Sequence, residues 1–434
     1  RRKRVPISVV NDAVRRILRL KFRLGLFDRP YAEKGVEAGV YFHRDHLTEA
    51  LAAARKAIGL LKNDNGILPL RKTLKSIALI GPLADNQRDL IGTWGGRADP
   101  ARVVTVLEGI RRTVPGVRGR YVKGCEIEGG GTDNFEEAVQ ASAQSDAVVL
   151  ALGESADMSG EARSRSCLDL PGHQEELLKA VAASGKPVIL ALMNGRPLSI
   201  PWAAAHVPAI LECWHLGVSA GLATAEVLFG DVNPSGKLPV TFPRTTGQVP
   251  IYHSQKSSGR PPAGDNPMVA RYIDIPHTPL YAFGFGLSFT AFEYSGLNIH
   301  PKRIRPTGAI DVSVRVKNSG RRDGDEVVQL YVQDVVASLT RPVKELKAFR
   351  RIPIRAGETK TVSFRIEARD LGFLDESLRW RVEPGMFRLW AGTDSQSGLE
   401  GTFEVLDVRG KSSRMAKRRA GGYRRLVQTF SANE

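Results

Sequence analysis

The stretch of this sequence with the most chemical potential is a polar loop, residues 153–165, that follows a run of apolar residues. Three carboxylates and two guanidinium groups lie in it among small residues: Glu154, Asp157, Glu161, Arg163 and Arg165. Gly160 gives the backbone beside Glu161 room to approach a ligand closely. Such a cluster of ionisable groups can form a binding or catalytic site, or its acids can simply pair with its arginines. Composition alone favours the pairing.

Buried strands and helices must position this loop. Short apolar runs alternate with helical stretches between residues 75 and 230. The strands are predicted at 76–81, 147–153, 187–192 and 208–211, and the helices at 103–114, 174–183 and 220–229. Continuous apolar strands between helices predict an α/β domain with a mostly parallel sheet covered on both faces. Ligands of such sheets bind beyond the carboxyl ends of the strands, which is where the polar loop begins.

Different patterns precede and follow this domain. Two helices are predicted at 8–24 and at about 44–60, the first of them amphipathic. Residues 245–280 are rich in Pro, Gly and Ser and predict a long loop. Beyond about residue 291 the period becomes two, most strictly in 311–316, which predicts a β-sandwich. The predicted fold class is therefore α/β plus all-β.

Charge is concentrated at the two ends of the chain. The 434 residues include 63 Lys plus Arg and 46 Asp plus Glu, a net charge of +17. Residues 1–24 and 409–434 hold 17 of the bases and two of the acids, so the body is nearly neutral. The body lacks zinc-finger spacing and an RNA-binding aromatic signature, which argues against nucleic acid as a partner. No apolar stretch is long enough for a transmembrane helix.

The same survey predicts neither a metal nor a cofactor. Three cysteines, Cys125, Cys167 and Cys213, are too few and too scattered for a disulfide framework or a zinc site. No glycine-rich phosphate-binding string follows a strand. Cys167 is interpreted as a small apolar residue and His215 as a packing variation.

The polar loop, SGEARSR at 159–165 followed by LDLPGHQ at 168–174, resembles the acid/base loop of glycoside hydrolase family 3, the β-glucosidase and β-xylosidase family. Other strings resemble the end of that family's barrel domain, its second domain and its fibronectin type III-like domain. They are KFRLGLF at 21–27, LLKNDNGILPL at 60–70, GDVNPSGKLP at 230–239, PLYAFGFGLSF at 279–289, GDEVVQLY at 324–331 and RPVKEL at 341–346. The resemblance covers about residues 5–407 in family order.

By this resemblance Glu161 matches the general acid/base of a retaining β-glycosidase that hydrolyses terminal, non-reducing β-D-glucosyl residues. An arginine in direct contact would oppose its role as an acid. We therefore expect the arginines to face the sugar, or Glu154 and Asp157, rather than Glu161. Candidate substrate-binding residues are Trp94, Met158, Ser159, Arg163 and Arg165. Trp94 suits either sugar stacking or core packing, and Met158 suits either the aglycone side or gap filling.

The family's nucleophile is an Asp in a Ser-Asp-Trp-like string on the barrel domain, and this sequence contains no such string. Retention requires two carboxyl groups about 5–5.5 Å apart. Glu154 and Asp157 are close in sequence but are interpreted as structural loop acids. The chain alone is therefore predicted to be inactive, as a C-terminal portion that lacks most of the barrel.

The expected organisation has six parts. They are a barrel remnant at 1–31, a linker and entry helix at 32–74, the α/β domain at 75–250, a linker at 251–290, the fibronectin type III-like domain at 291–407 and a basic, disordered tail at 408–434. The expected partner is an oligosaccharide or aryl β-glycoside, with no membrane, and a homodimer stays open. The resemblance favours a periplasmic or extracellular location for the intact enzyme and leaves a cytoplasmic one open. The alternatives are a β-xylosidase or arabinosidase, or a non-catalytic carbohydrate-binding fragment.

Overall fold

The computed structural model describes residues 5–261, 268–409 and 411. The chain divides into two compact units, Arg1–Glu49 and Ala50–Glu434. The basic residues 1–4 and nearly all of the predicted tail at 408–434 lie outside the described residues. None of the helices in the described ranges has the length and apolar character needed to cross a membrane.

Eight α-helices occur in the described part of the chain. They are α1 Ile7–Arg23, α2 Val36–Val40, α3 Arg44–Ala57, α4 Val106–Thr113, α5 Phe135–Ala143, α6 Gln174–Ala182, α7 Pro201–His206 and α8 Ala220–Leu228. The helix predicted at 8–24 is confirmed as α1, and Gly25 ends it with a left-handed backbone, φ 67°. The first unit contains α1, α2 and the start of α3.

The second unit contains the rest of α3 and then a six-stranded sheet. Its strands are β1 Gly59–Asn63, β2 Ser76–Ile80, β3 Arg118–Val122, β4 Ala147–Gly153, β5 Val188–Met193 and β6 Ala209–Glu212. The order is β1-β6-β5-β4-β2-β3, and only β1 runs antiparallel to its neighbour. The prediction of a mostly parallel sheet is confirmed.

The helix predicted at 44–60 is wrong at its end, because α3 stops at Ala57 and the chain enters β1. Leu60 and Leu61 pack into the apolar clusters on opposite faces of the sheet, which only an extended backbone allows. The same alternation runs through β4, where Val149 faces one cluster and Leu150 the other. Burial on both faces explains why these strands read as continuous apolar runs.

The strand order reverses between β2 and β4. From β2 the chain adds β3 on one side, and later adds β4, β5 and β6 on the other side. The loops that follow β2 and β4 therefore flank a crevice at the carboxyl edge of the sheet, the usual ligand position in open α/β sheets. The polar loop at 153–165 follows β4, so the topology places it at this crevice.

The second part of this unit is all-β, as predicted. Its strands are β7 Phe292–His300, β8 Arg303–Ile304, β9 Ala309–Asn318, β10 Gly324–Asp334, β11 Glu345–Ile354, β12 Thr359–Glu367, β13 Phe373–Leu374, β14 Trp380–Arg381, β15 Gly385–Gly392 and β16 Leu399–Val405. A five-stranded sheet, β11-β10-β15-β16-β8, and a three-stranded sheet, β12-β9-β7, enclose one core. In β9 Val312 and Val314 are buried while Asp311 is exposed, which confirms the period of two.

Candidate active site

The polar loop starts from a fixed point at the end of β4. The side chain of Gln174, fully buried, accepts from the Gly153 N–H at 2.8 Å and donates to the Gly153 carbonyl at 2.8 Å. The same amide nitrogen donates to the Ile127 carbonyl at 3.0 Å. Because a buried amide is stable only when its hydrogen bonds are made, Gln174 fixes where the loop leaves the sheet.

The first carboxylate of the loop, Glu154, is completely buried and held by two arginines. Its Oε1 lies 2.8 Å from Arg165 Nη1 and 3.0 Å from Arg196 Nε. Its Oε2 accepts from the Gly195 N–H at 3.2 Å. A buried carboxylate requires such partners, since an unpaired one costs several kcal/mol, on the order of 3–5. Arg165 thus faces Glu154 rather than Glu161.

The loops after β2 and β5 pack closely against the polar loop. The Thr93 hydroxyl, on the loop after β2, donates to the carbonyls of Ala156 and Ser159. A Cβ at Gly160, where φ is 108°, would overlap the Thr93 side chain. A Cβ at Gly195, on the loop after β5, would overlap the Ser159 hydroxyl. The two glycines therefore allow an approach that side chains would block.

Glu161 lies at the exposed tip of this loop. The next residue, Ala162, has a left-handed backbone with φ 58°, a conformation that non-glycine residues adopt at a cost of about 1–3 kcal/mol and that clusters at functional sites. Asp157 pairs with Arg88 on the surface. Among the described residues Glu161 forms no ion pair, so it differs from the other two carboxylates of the loop.

The proposed substrate-binding residues lie around this tip. Trp94 is 79% exposed on the turn Thr93–Gly95, so it does not pack into the core. Ser159 is buried, and Met158 is partly buried. The Arg163 side chain is exposed and makes no ion pair in the described part of the chain. Arg165 also donates to the Asp169 carbonyl at 3.0 Å, which holds the far end of the loop.

Sequence reasoning missed the residues that the neighbouring strands bring to the same edge. Asn194 and Arg196 follow β5, and Glu212 is the last residue of β6. Glu212 is fully buried, accepting from the Trp214 N–H at 2.9 Å and the Asn194 amide at 3.3 Å. Burial raises the pKa of Glu212 well above its usual value, and the two hydrogen bonds that it accepts oppose this shift. The signal was available, because parallel strands present their carboxyl ends at one edge.

His215 and Cys167, to which the sequence assigned no catalytic role, lie near the polar loop and make ordinary contacts. His215 Nε2 lies 3.4 Å from the Glu154 carbonyl, and burial lowers the pKa of this histidine. The exposed Cys167 thiol donates to Asp169 at 3.2 Å. Within the described ranges no group of three or more His, Cys, Asp and Glu side chains is arranged to hold a metal ion.

Family models match both parts of the second unit. Residues 58–289 match the glycosyl hydrolase family 3 C-terminal domain, and residues 326–395 match the fibronectin type III-like domain. These two matches follow the order of the α/β sheet and the β-sandwich along the chain.

Curated relatives and solved structures agree with these matches. The chain is 41% identical over 431 residues to a periplasmic beta-glucosidase of Salmonella typhimurium, covering 93% of this chain and 56% of that protein. It is 44% identical over 400 residues to a beta-xylosidase of Formosa agariphila, covering 90% and 54%. A beta-glucosidase from Listeria innocua in complex with isofagomine superposes with a TM-score of 0.86 at 38% identity, covering 94% of this chain and 57% of that chain. The chain spans about half the length of these relatives. It belongs to glycoside hydrolase family 3 and carries that family's C-terminal and fibronectin type III-like domains.

Proposed function

We propose that this chain supplies the general acid/base, Glu161, to the active site of a retaining β-glycosidase that removes terminal, non-reducing β-D-glucosyl residues. One observation carries the proposal. Glu154 and Asp157 are neutralised by arginines, whereas Glu161 stands free of ion pairs, among the described residues, on a loop at the crevice of the sheet. A carboxyl group that alternately donates and accepts a proton requires this freedom.

The chemistry of Glu161 has two steps. As an acid it protonates the glycosidic oxygen while the leaving group departs, and as a carboxylate it then removes a proton from the water that releases the sugar. The first step also needs a carboxylate nucleophile about 5–5.5 Å away. Glu154 is committed to two arginines and Asp157 to Arg88. We therefore place the nucleophile outside this chain, in the half of the relatives' length that the chain does not match.

Around Glu161 the proposal assigns the sugar contacts to the residues at the loop tip. The exposed indole of Trp94 offers a flat apolar face on which a pyranose ring can stack. The guanidinium of Arg163, exposed and without an ion pair among the described residues, can donate to sugar hydroxyls. Met158 and Ser159 border the same tip. Arg165 contributes by holding the loop through Glu154.

A β-xyloside is the second candidate substrate, favoured by the 44% identity to the Formosa agariphila beta-xylosidase. Glucose and xylose differ by one hydroxymethyl group. Discrimination of that size depends on the pocket that encloses the sugar, and the proposal places much of that pocket outside this chain.

The test compares the chain alone with a fusion in which the unmatched N-terminal part of the Salmonella typhimurium protein precedes it. We expect the fusion to hydrolyse an aryl β-glucoside faster than the corresponding β-xyloside, and the chain alone to hydrolyse neither. Thermal unfolding of both proteins establishes that they are folded. Turnover by the chain alone would contradict our placement of the nucleophile outside this chain. Faster turnover of the xyloside would contradict the proposed preference for a β-D-glucosyl residue. Sugar binding by a folded fusion without turnover would contradict the proposed catalytic role.

A further inference from the structure

We infer that Arg196 is a positioning residue that holds Glu161 in place by binding both flanks of the turn on which Glu161 lies. This inference rests on the proposed role of Glu161. Arg196 follows β5, so it reaches the loop after β4 from the neighbouring strand. The proposal concerns how the acid is held, and Arg196 itself is not assigned to contact the substrate.

Arg196 donates hydrogen bonds to both sides of the turn. Its Nη2 donates to the carbonyl of Met158 on one flank and, at 2.6 Å, to the carbonyl of Arg163 on the other flank. Glu161 lies between these two acceptors in sequence. In the described part of the chain no other side chain hydrogen-bonds to both Met158 and Arg163. One planar group that binds two carbonyls fixes their separation, and with it the width of the turn.

Arg196 is itself restrained by Glu154. Its Nε lies 3.0 Å from Glu154 Oε1, and its side chain is only 18% exposed. Glu154 is anchored independently by Arg165 and by the Gly195 N–H. The contact between Arg196 and Glu154 is an ion pair, since Nε makes no hydrogen bond among the described residues. The ion pair and the burial restrain the guanidinium before it binds the turn, so its hydrogen bonds to the turn cost less additional side-chain entropy.

The turn needs such external support because its own backbone is unfavourable. Ala162, which is not a glycine, has a positive φ of 58°, whereas Gly160 adopts its φ of 108° at no steric cost. The backbone hydrogen bond that closes the turn, from the Arg163 N–H to the Gly160 carbonyl, is long at 3.3 Å. Backbone of this kind persists only where its surroundings impose it. Thr93 binds Ala156 and Ser159 on the N-terminal side, and Arg165 ties the chain after the turn to Glu154 and Asp169. Arg196 adds the restraint that joins Met158 to Arg163 directly.

Hydrogen exchange of the full chain tests the restraint directly, with no requirement for activity. We expect Arg196→Ala to speed exchange of the amides in 158–165 by about ten- to a hundred-fold, since two charge-assisted hydrogen bonds are lost. Arg88→Ala is the matched control, because Arg88 pairs with Asp157 on the surface of the same loop and should change exchange little. Unchanged exchange at 158–165 in a folded Arg196→Ala chain would overturn the inference.

Activity of the fusion described above tests the consequence for catalysis. Misplacement of the acid should lower kcat for cellobiose, whose leaving group needs a proton, by about a hundred-fold, and lower kcat for an aryl glucoside much less. KM should change little. Added guanidinium ion should restore part of the kcat of Arg196→Ala, and Arg196→Lys should be intermediate.

The two proposals fail in different ways. Equal losses on both substrates, or no rescue by guanidinium, would overturn positioning by Arg196 while leaving Glu161 in place. If Glu161→Gln in the same fusion hydrolyses cellobiose normally, the role of Glu161 is wrong. Faster exchange in Arg196→Ala would then show only that Arg196 orders the loop, and positioning of a catalytic acid would be overturned.

Discussion

The carboxyl edge of the parallel sheet and the outer surface of the β-sandwich use charge in opposite ways. At the carboxyl edge of the parallel sheet the carboxylate of Glu154 is buried and shared by two arginines. On the β-sandwich the pairs of Arg388 with Glu400 and of Arg365 with Asp311 are exposed to solvent. Exposed pairs stabilise little, about 0–1 kcal/mol, whereas a buried carboxylate depends on its partners. The difference separates a buried ion pair that holds a loop from surface pairs that stabilise the sandwich little.

The largest effect is expected where the buried pairs are broken. Glu154→Gln keeps the shape of the side chain but leaves Arg165 and Arg196 without their shared carboxylate, so we expect the free energy of unfolding to fall by about 3–5 kcal/mol. Arg388→Ala on the sandwich is the comparison, with an expected loss below about 1 kcal/mol. Urea unfolding of both variants measures the difference. Equal losses would remove the distinction between the two regions.

A smaller effect of opposite sign is expected at Asp334, a buried carboxylate of the sandwich. In the described residues it has no ion pair and its Oδ1 accepts no hydrogen bond. Burial raises its pKa from 3.8 to about 6. The folded state therefore holds this proton more tightly than the unfolded state, and the associated stability, complete below about pH 4, is lost as pH rises toward 6.

Asp334→Asn should remove that dependence. We expect the variant to be more stable than the parent at pH 7 by up to about 3 kcal/mol, and nearly equal to it at pH 3.5. Thermal unfolding of both proteins across this range measures the change. A variant that is less stable at pH 7 would mean that the ionised Asp334 has a partner that stabilises it, as Glu154 does.

The two regions also differ in the hydrophobic pattern by which the sequence predicts their strands. Val312 and Val314 alternate with exposed residues in β9, and Leu150 lies in a continuous apolar run in β4, so both patterns identify strands. The edge strand β3, Arg118–Val122, is largely polar and α7 has only 6 residues, so no pattern identified them. The helix α5 was also not predicted, although it is as long as α6. An apolar run such as Leu60-Leu61 fits a helix or a strand equally well, and only tertiary packing decides.

The candidate site was predictable only in part, for a related reason. Glu161 and its neighbours occupy one loop, so the sequence alone predicts that they lie close together. Arg196 and Glu212 come from two other strands, 35 and 51 residues later in the numbering, and reach the loop because the parallel strands end at one edge. Which arginine binds which carboxylate depends on strand order and register, and neither follows from residue type.

The most direct test of the central claim is the rate of cellobiose hydrolysis by the fusion that carries Glu161→Gln. Glutamine keeps the size of the side chain but cannot donate the proton that this leaving group needs, so we expect kcat to fall by about a hundred- to ten-thousand-fold. Hydrolysis of an aryl glucoside with a good leaving group should retain its first step, and added azide should accelerate release of the sugar. Turnover of cellobiose at the parent rate would contradict the assignment of Glu161 as the acid that this chain supplies.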